Sequence, residues 1–328
     1  MEAALMQRIA ILDGWRALSI LLVMAGHLLP LGPARWGLNG AAAATGMAIF
    51  FTLSGFLITQ FMAHRPDVRA FLIRRLFRIL PLAWLAMLAL VVANHADAAT
   101  ALANLLFVAN LPPTRLMHGG QHLWSLCVEV QFYLGIALLV ALAGARGLRV
   151  LPLLCVAVTI VRILQGAVIS IYTWQRVDEI LAGATLALLV GRFGDRERAW
   201  PQWLPLMLFV LTLASAHADT GALGYLRPYF AAAAVGTSIV AAPAWLRDAF
   251  ASRPARYVAD ISYALYVFHE LFNATWLGSG DKAIRYAKRP LLFAATFAAA
   301  HLSTTRLEHP MIALGKRIER RRALAPGA

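Results

Sequence analysis

Long stretches without a charged residue constrain this sequence most. Five of them contain no Asp, Glu, Lys or Arg: Ala17–Ala34, Trp36–His64, Ile79–Ala96, Ala199–Ala218 and Pro228–Leu246. An α-helix needs about 20 apolar residues to cross the hydrocarbon core of a bilayer. Charged residues make up only 14% of the chain, whereas soluble proteins average roughly 25%. The sequence therefore predicts an all-α, polytopic membrane protein and excludes a soluble globular or disordered one.

The apolar runs predict a bundle of about ten transmembrane helices. A shorter run, Ala99–Leu111, ends in Pro112-Pro113 and is short for a crossing, so it predicts a re-entrant or interfacial helix. No long linker or repeat divides the chain, which predicts one transmembrane domain, 1–310, and a basic cytoplasmic tail, 311–328. The predicted spans are 14–31, 40–62, 79–95, 122–143, 148–170, 175–191, 201–217, 226–243, 258–277 and 289–305.

The formal net charge is +14, but the position of the charge argues against nucleic-acid binding. Most Lys and Arg residues lie in short loops on one predicted side, including Arg8, Arg192, Arg196 and Arg198. This is the positive-inside pattern, and it favours ten spans with both termini in the cytoplasm. One basic cluster, Lys282–Arg289, falls on the outer side without an evident reason.

The first polar cluster in a predicted span consists of Asp13, Arg16 and His27. Eleven residues on a helix turn about 1100° and rise about 16 Å, so Arg16 and His27 share one face near opposite ends. Histidine is the usual general base because its pKa lies near neutrality. The cluster predicts a cation at one mouth of a path and a base towards the other, or an interfacial ion pair with a peripheral histidine.

Two further clusters stand out. Arg75 and Arg78 are three residues apart, so they share a helix face and are suited to bind phosphates, although a membrane anchor explains them too. A polar stripe with spacings of 3, 4 and 4 consists of His122, Ser125, Glu129 and Tyr133. A carboxylate within a span is costly and by default indicates function, and His27 is a plausible partner of Glu129.

Other polar residues are compatible with a supporting role, an acceptor-binding role or an ordinary helix end: Ser54, Trp124, Arg176, Tyr266 and His269. The sequence has no Walker A loop, dinucleotide fingerprint or H-E-x-x-H pair, so a nucleotide-driven pump, a redox enzyme and a zinc protease lose support. The cysteines, Cys127 and Cys155, lack zinc spacing. Neither a metal nor a permanently bound cofactor is predicted.

In order, these motifs resemble the acyltransferase 3 family, integral-membrane enzymes that acylate bacterial surface glycans and some small molecules. The resemblance covers essentially the whole chain and rests on five segments: Leu12–Ala17 with its spacing to His27, Phe50–Ile58, Arg74–Pro81, His122–Tyr133 and Ser262–His269. It implies an acyl-CoA donor, most simply acetyl-CoA, approached from the cytoplasm. It also implies an acceptor acylated near the outer face of the bacterial inner membrane.

Residue by residue, the resemblance implies that His27 and Glu129 are catalytic and that Arg16, Arg75 and Arg78 bind the donor. Ser125 matches the family's serine beside the glutamate. The sequence departs from the family pattern at three positions: Cys127, Val130 and Glu270.

The resulting prediction is a membrane-bound O-acyltransferase that acts on a carbohydrate or glycosylated acceptor. The alternative is a secondary transporter or flippase of a lipid-linked glycan, because buried His, Glu and Arg also serve proton relays. The acceptor stays open, and a separate extracytoplasmic transferase is a possible partner besides the bilayer.

Overall fold

The computed structural model describes residues 10–190 and 200–323, and within these ranges the chain is helical and contains no strand. The topological arginines at 8, 192, 196 and 198 and the end of the predicted tail lie outside the described residues. The helices are α1 Ala10–Leu28, α2 Leu38–His64, α3 Val68–Ala93, α4 Ala98–Leu105, α5 Trp124–Ala143, α6 Leu151–Leu164, α7 Thr173–Arg176, α8 Asp178–Val190, α9 Leu204–Ser215, α10 Arg227–Ala241, α11 Ala244–Phe250, α12 Arg253–Asn273, α13 Lys282–Ala287, α14 Arg289–Ser303 and α15 His309–Ala323.

The all-α class is confirmed, and the number of crossings stays a prediction. Four described helical segments are long and apolar enough to cross a membrane: α1, α2, α3 and the segment Gln121–Leu164, in which a 3-10 turn joins α5 to α6. A fifth arises if Ala218–Ala241 and Ala244–Phe250, which meet at 106°, form one broken span. Every predicted span overlaps a helix. Several of these helices are too short to cross the hydrocarbon core by themselves. The 13 residues of α8, for example, rise only about 20 Å at 1.5 Å per residue.

The described residues belong to two compact units. The described part of the first consists of residues 10–60, 149–170, 174–190 and 200–262, and that of the second of residues 61–148, 171–173 and 263–323. Both units contain fully buried side chains.

In the first unit, two glycines let α2 and α8 approach closely. A Cβ atom at Gly55 would lie 1.8 Å from the carbonyl oxygen of Ile180, and one at Gly183 would lie 1.9 Å from that of Thr52. Only glycine fits at either position, since both contacts are with backbone. Elsewhere in this unit the indole of Trp15 on α1 donates a hydrogen bond to Ser238 on α10, at 2.6 Å.

In the second unit, α15 packs along α3. A Cβ atom at Gly315 would lie 2.9 Å from the side chain of Phe77, so the two helices nearly touch there. Asp67 caps the start of α3 by accepting a hydrogen bond from the amide of Ala70 at 2.9 Å. The segment predicted as a basic tail, 311–328, thus forms, in its described part, a helix of this unit. Of the run Ala99–Leu111, predicted as a re-entrant or interfacial helix, only the part up to Leu105 is helical, as α4.

Candidate active site

The polar stripe lies in the second unit, and all four of its side chains are buried. Ser125, Glu129 and Tyr133 lie on α5, whereas His122 lies in the 3-10 turn Gln121–Leu123 that leads into it. The half-buried Trp124 is the first residue of α5. The stripe therefore exists as predicted, and it divides into two groups with different partners.

The first group joins the start of α5 to α12. The Ser125 and Tyr266 hydroxyls are 2.6 Å apart, and the Tyr266 hydroxyl also donates to the carbonyl oxygen of His122. The His269 ring lies 5.0 Å from the His122 ring, and its Nδ1 is 2.7 Å from the carbonyl oxygen of Tyr266. Two imidazoles, a phenol and a hydroxyl thus form one buried group, which brings together four residues that the sequence placed in separate motifs.

The second group lies one to two turns further along α5. The hydroxyl of Tyr133 donates a hydrogen bond to Oε1 of Glu129 at 2.5 Å. The guanidinium carbon of Arg75 lies 5.6 Å from the centre of the Tyr133 ring, which is cation–π distance. The phenol therefore connects the predicted catalytic carboxylate with one of the predicted donor-binding arginines.

Arg75 and Arg78 line a cavity of about 220 Å³ in this unit. Two more cations reach it, Arg74 from α3 and Lys316 from α15. Phe61, Phe71 and Ile312 supply apolar walls. A cavity with four cations and apolar sides is suited to an anion that carries an organic group, because guanidinium groups bind phosphate oxygens through paired hydrogen bonds.

Among the described residues, Arg74 is the one of these four cations that forms an ion pair. Arg74 donates to both carboxylate oxygens of the buried Glu319 on α15, at 2.5 and 2.8 Å. Arg65 lies 3.0 Å from the same carboxylate. Within residues 10–190 and 200–323, neither Arg75, Arg78 nor Lys316 has an ion pair. Their charges are therefore available to a bound anion.

The first unit holds the other predicted residues. Asp13 is buried, and its carboxylate lies 3.7 Å from the Arg16 guanidinium, one turn later on α1. His27 is exposed in the last turn of the same helix, and Ser54 is half-buried on α2. The predicted placement of Arg16 and His27 on one helix is confirmed. The pairing of His27 with Glu129, which belong to different units, stays a prediction.

Arg176 belongs to a buried ionic network at the start of α8. It lies 3.2 Å from the Glu179 carboxylate, which also accepts a hydrogen bond from Arg227 at 2.7 Å. Beside them Arg162 pairs with Asp178. All five side chains are almost inaccessible to solvent. Arg162 also donates to the carbonyl oxygens of Ala167 and Val168, at 3.2 and 2.6 Å, so the network holds the loop after α6 in place.

Sequence reasoning missed several of these residues. Arg162 and Arg227 lie inside predicted spans. The criterion that identified Glu129, a charged side chain within a span, would therefore have identified them too. Lys316 and Glu319 gave no such signal, because basic tails are common and only the contact with α3 gives these two residues a role.

The fold and site define an all-α protein with membrane-length helices, buried polar groups and a basic cavity. The chain belongs to the acyltransferase 3 family, whose model, described as an acyltransferase domain, matches residues 9–304. The prediction made from the motifs is thereby confirmed.

Two curated relatives are similar to this chain. The peptidoglycan O-acetyltransferase OatA of Listeria monocytogenes is 25% identical over 92% of this chain and 55% of its own length. YrhL of Bacillus subtilis, named as a candidate peptidoglycan O-acetyltransferase, is 30% identical over 54% of this chain and 33% of its own length. The chain thus matches about half and about a third of these relatives. No solved structure matches it.

Proposed function

We propose that this protein is a membrane-bound O-acyltransferase that moves an acyl group, most simply acetyl, from acyl-CoA to a hydroxyl of a cell-envelope or exported glycan. The observation that carries the proposal is the basic cavity of the second unit, whose arginines lie beside the buried Tyr133–Glu129 pair. Family membership and the names of the relatives support the reaction class and a glycan acceptor.

The donor is proposed to bind through its phosphates at this cavity. Arg75, Arg78 and Lys316 supply positive charge, and none of them forms a direct ion pair with a described carboxylate. The apolar walls formed by Phe61, Phe71 and Ile312 suit the organic part of coenzyme A. Arg16, from the first unit, is proposed as a further phosphate contact.

His27 is proposed as the general base. It takes the proton of the acceptor hydroxyl while the hydroxyl oxygen attacks the thioester carbonyl. A C–O bond forms, the C–S bond breaks, and the coenzyme A thiolate then takes the proton from the imidazolium. Glu129 offsets the positive charge on His27 during the transfer. The 2.5 Å hydrogen bond from Tyr133 fixes the orientation of the Glu129 carboxylate.

The protein is proposed to lie in the bacterial inner membrane with both termini in the cytoplasm. This orientation follows from the positive-inside distribution of Lys and Arg. It places the basic cavity, formed by the start of α3 and by α15, on the cytoplasmic side, where acyl-CoA is available. The beginning of α5 then faces outward, towards the acceptor.

The test is transfer of labelled acetyl from acetyl-CoA to glycan by the full chain in nanodiscs. His27→Ala and Glu129→Gln are expected to lower the turnover at least a hundredfold, the usual contribution of acid–base groups. His301→Ala, an exposed histidine on α14, serves as the matched control. Full transfer by both site variants would refute the assignment, and glycan movement without any thioester cleavage would favour a flippase.

A further inference from the structure

A second polar cavity, of about 270 Å³, lies in the second unit where α12 ends. Its walls come from the loop before α5 and from the last turn of α12 with the loop that follows it, which the predicted topology places on the outer side. Six of the nine lining residues have a hydrogen-bonding side chain. The side chains are those of His118, Gln121, Glu270, Asn273, Thr275 and Ser279.

The walls of this cavity are held by residues of the outer basic cluster. Arg289 donates a hydrogen bond to Oδ1 of Asn273 at 2.7 Å, and the Asn273 amide donates to Glu270 at 3.2 Å. Lys288 donates to the carbonyl oxygen of Trp276 and lies 5.2 Å from the centre of its ring. Two of the four cations that the positive-inside rule left unexplained therefore fix the shape of this cavity.

Two residues of the cavity wall are neighbours in sequence of the buried histidines. Gln121 directly precedes His122, and Glu270 directly follows His269. The two imidazole rings lie 5.0 Å apart. The cavity wall and the candidate site therefore share the same two chain segments, on the predicted acceptor side.

We infer that this cavity binds a neutral saccharide unit of the acceptor glycan, and the inference rests on the proposed function. Sugar hydroxyls both donate and accept hydrogen bonds. The lining offers amides and hydroxyls that do the same, and a carboxylate that accepts. The Glu270 carboxylate in the wall disfavours an anionic group at this position. Because the relatives are named for peptidoglycan, the saccharide class proposed is an N-acetylated hexosamine chain.

The test is binding of chitotetraose to the full chain in nanodiscs, measured by calorimetric titration. Saturable binding to the parent protein is expected. Gln121→Ala is expected to weaken it about three- to tenfold, the effect of one lost hydrogen bond. Gln121 is exposed at the cavity rim, so the variant should fold, and a parallel titration with acetyl-CoA confirms that it does. The double variant, Gln121→Ala with Ser279→Ala, is expected to bind chitotetraose more weakly than Gln121→Ala alone.

Gln202→Ala is the matched control, because Gln202 is an exposed amide outside this cavity. No binding of chitotetraose to the parent protein, or equal binding by the parent and both cavity variants, would overturn the inference. This experiment can fail independently of the proposed function. If the protein transfers acetyl groups but the cavity variants bind chitotetraose as well as the parent does, only the cavity assignment is refuted. If the cavity variants lose chitotetraose binding but the parent protein transfers no acetyl group, only the proposed reaction is refuted.

Discussion

The basic cavity makes the sharpest prediction, because it specifies which part of the donor each cation contacts. Arg78 is half-buried and has no described acidic partner. A hydrogen bond to a charged group contributes about 1.5–3 kcal/mol. Since about 1.4 kcal/mol corresponds to a factor of ten, Arg78→Gln should raise the KM for acetyl-CoA between about tenfold and a hundredfold. Lys316 is exposed, so Lys316→Gln should raise it only about two- to fivefold.

The assay compares two donors. Acetyl-CoA carries the phosphates, and acetyl-pantetheine carries the same thioester without them. If the cavity binds phosphate, both substitutions raise the KM for acetyl-CoA and leave that for acetyl-pantetheine unchanged. Because solvent screens exposed charges more than buried ones, added salt should abolish the effect of Lys316→Gln first.

Arg317→Gln is the matched control, since Arg317 is the exposed neighbour of Lys316 and does not line the cavity. Equal changes in KM for both donors would show that the substitutions disturb the protein in general. No change in either KM would show that the phosphates bind elsewhere. Either result would refute the assignment of the cavity to the donor.

Two further predictions concern stability, measured as the thermal unfolding midpoint in detergent. Gly183→Ala should lower stability by about 1–3 kcal/mol, the usual result of overpacking, because its Cβ would lie 1.9 Å from the Thr52 carbonyl oxygen. Gly135→Ala, where nothing lies within 4 Å, should be neutral, and equal effects would contradict the close helix approach. Asp178→Asn should destabilise by about 3–5 kcal/mol, since it leaves the buried Arg162 guanidinium without its ion pair. A double variant with Arg162→Met should recover part of that loss, and an unchanged midpoint in the single variant would contradict this role.

Much of the fold could be predicted from the uncharged runs, because bilayer thickness sets the length of an apolar helix. The connection between α5 and α6 could be predicted as well, because Arg146 and Arg149 interrupt the apolar sequence and predict a loop between two spans. In the structure α5 ends at Ala143, where Gly144 has non-helical backbone angles (φ 60°, ψ −164°). The 3-10 turn Gly144–Val150, which carries both exposed arginines, leads into α6.

The stripe on α5 was predictable for a similar reason, since helical periodicity alone places Ser125, Glu129 and Tyr133 on one face. Its partners were not, because they come from distant parts of the sequence. Tyr266 reaches Ser125 from 141 residues away, and Lys316 joins the basic cavity from a segment beyond the family match. Periodicity determines a face, and only tertiary packing determines what that face meets.

The buried and half-buried arginines discussed above are of two kinds: some form ion pairs with a carboxylate, and others do not. Arg162, Arg176 and Arg227 each contact one of the two carboxylates at the start of α8. Removing their charges should therefore lower the stability of the folded protein first, and any loss of ligand binding should follow from that. Arg75 and Arg78 face a cavity and have no ion pair within the described residues. A charge held at a cavity without a protein counterion is costly unless solvent or a ligand compensates it. This difference in pairing, which sequence alone does not show, is the physical reason to propose that the donor binds at Arg75 and Arg78 rather than at the buried arginine group of the first unit.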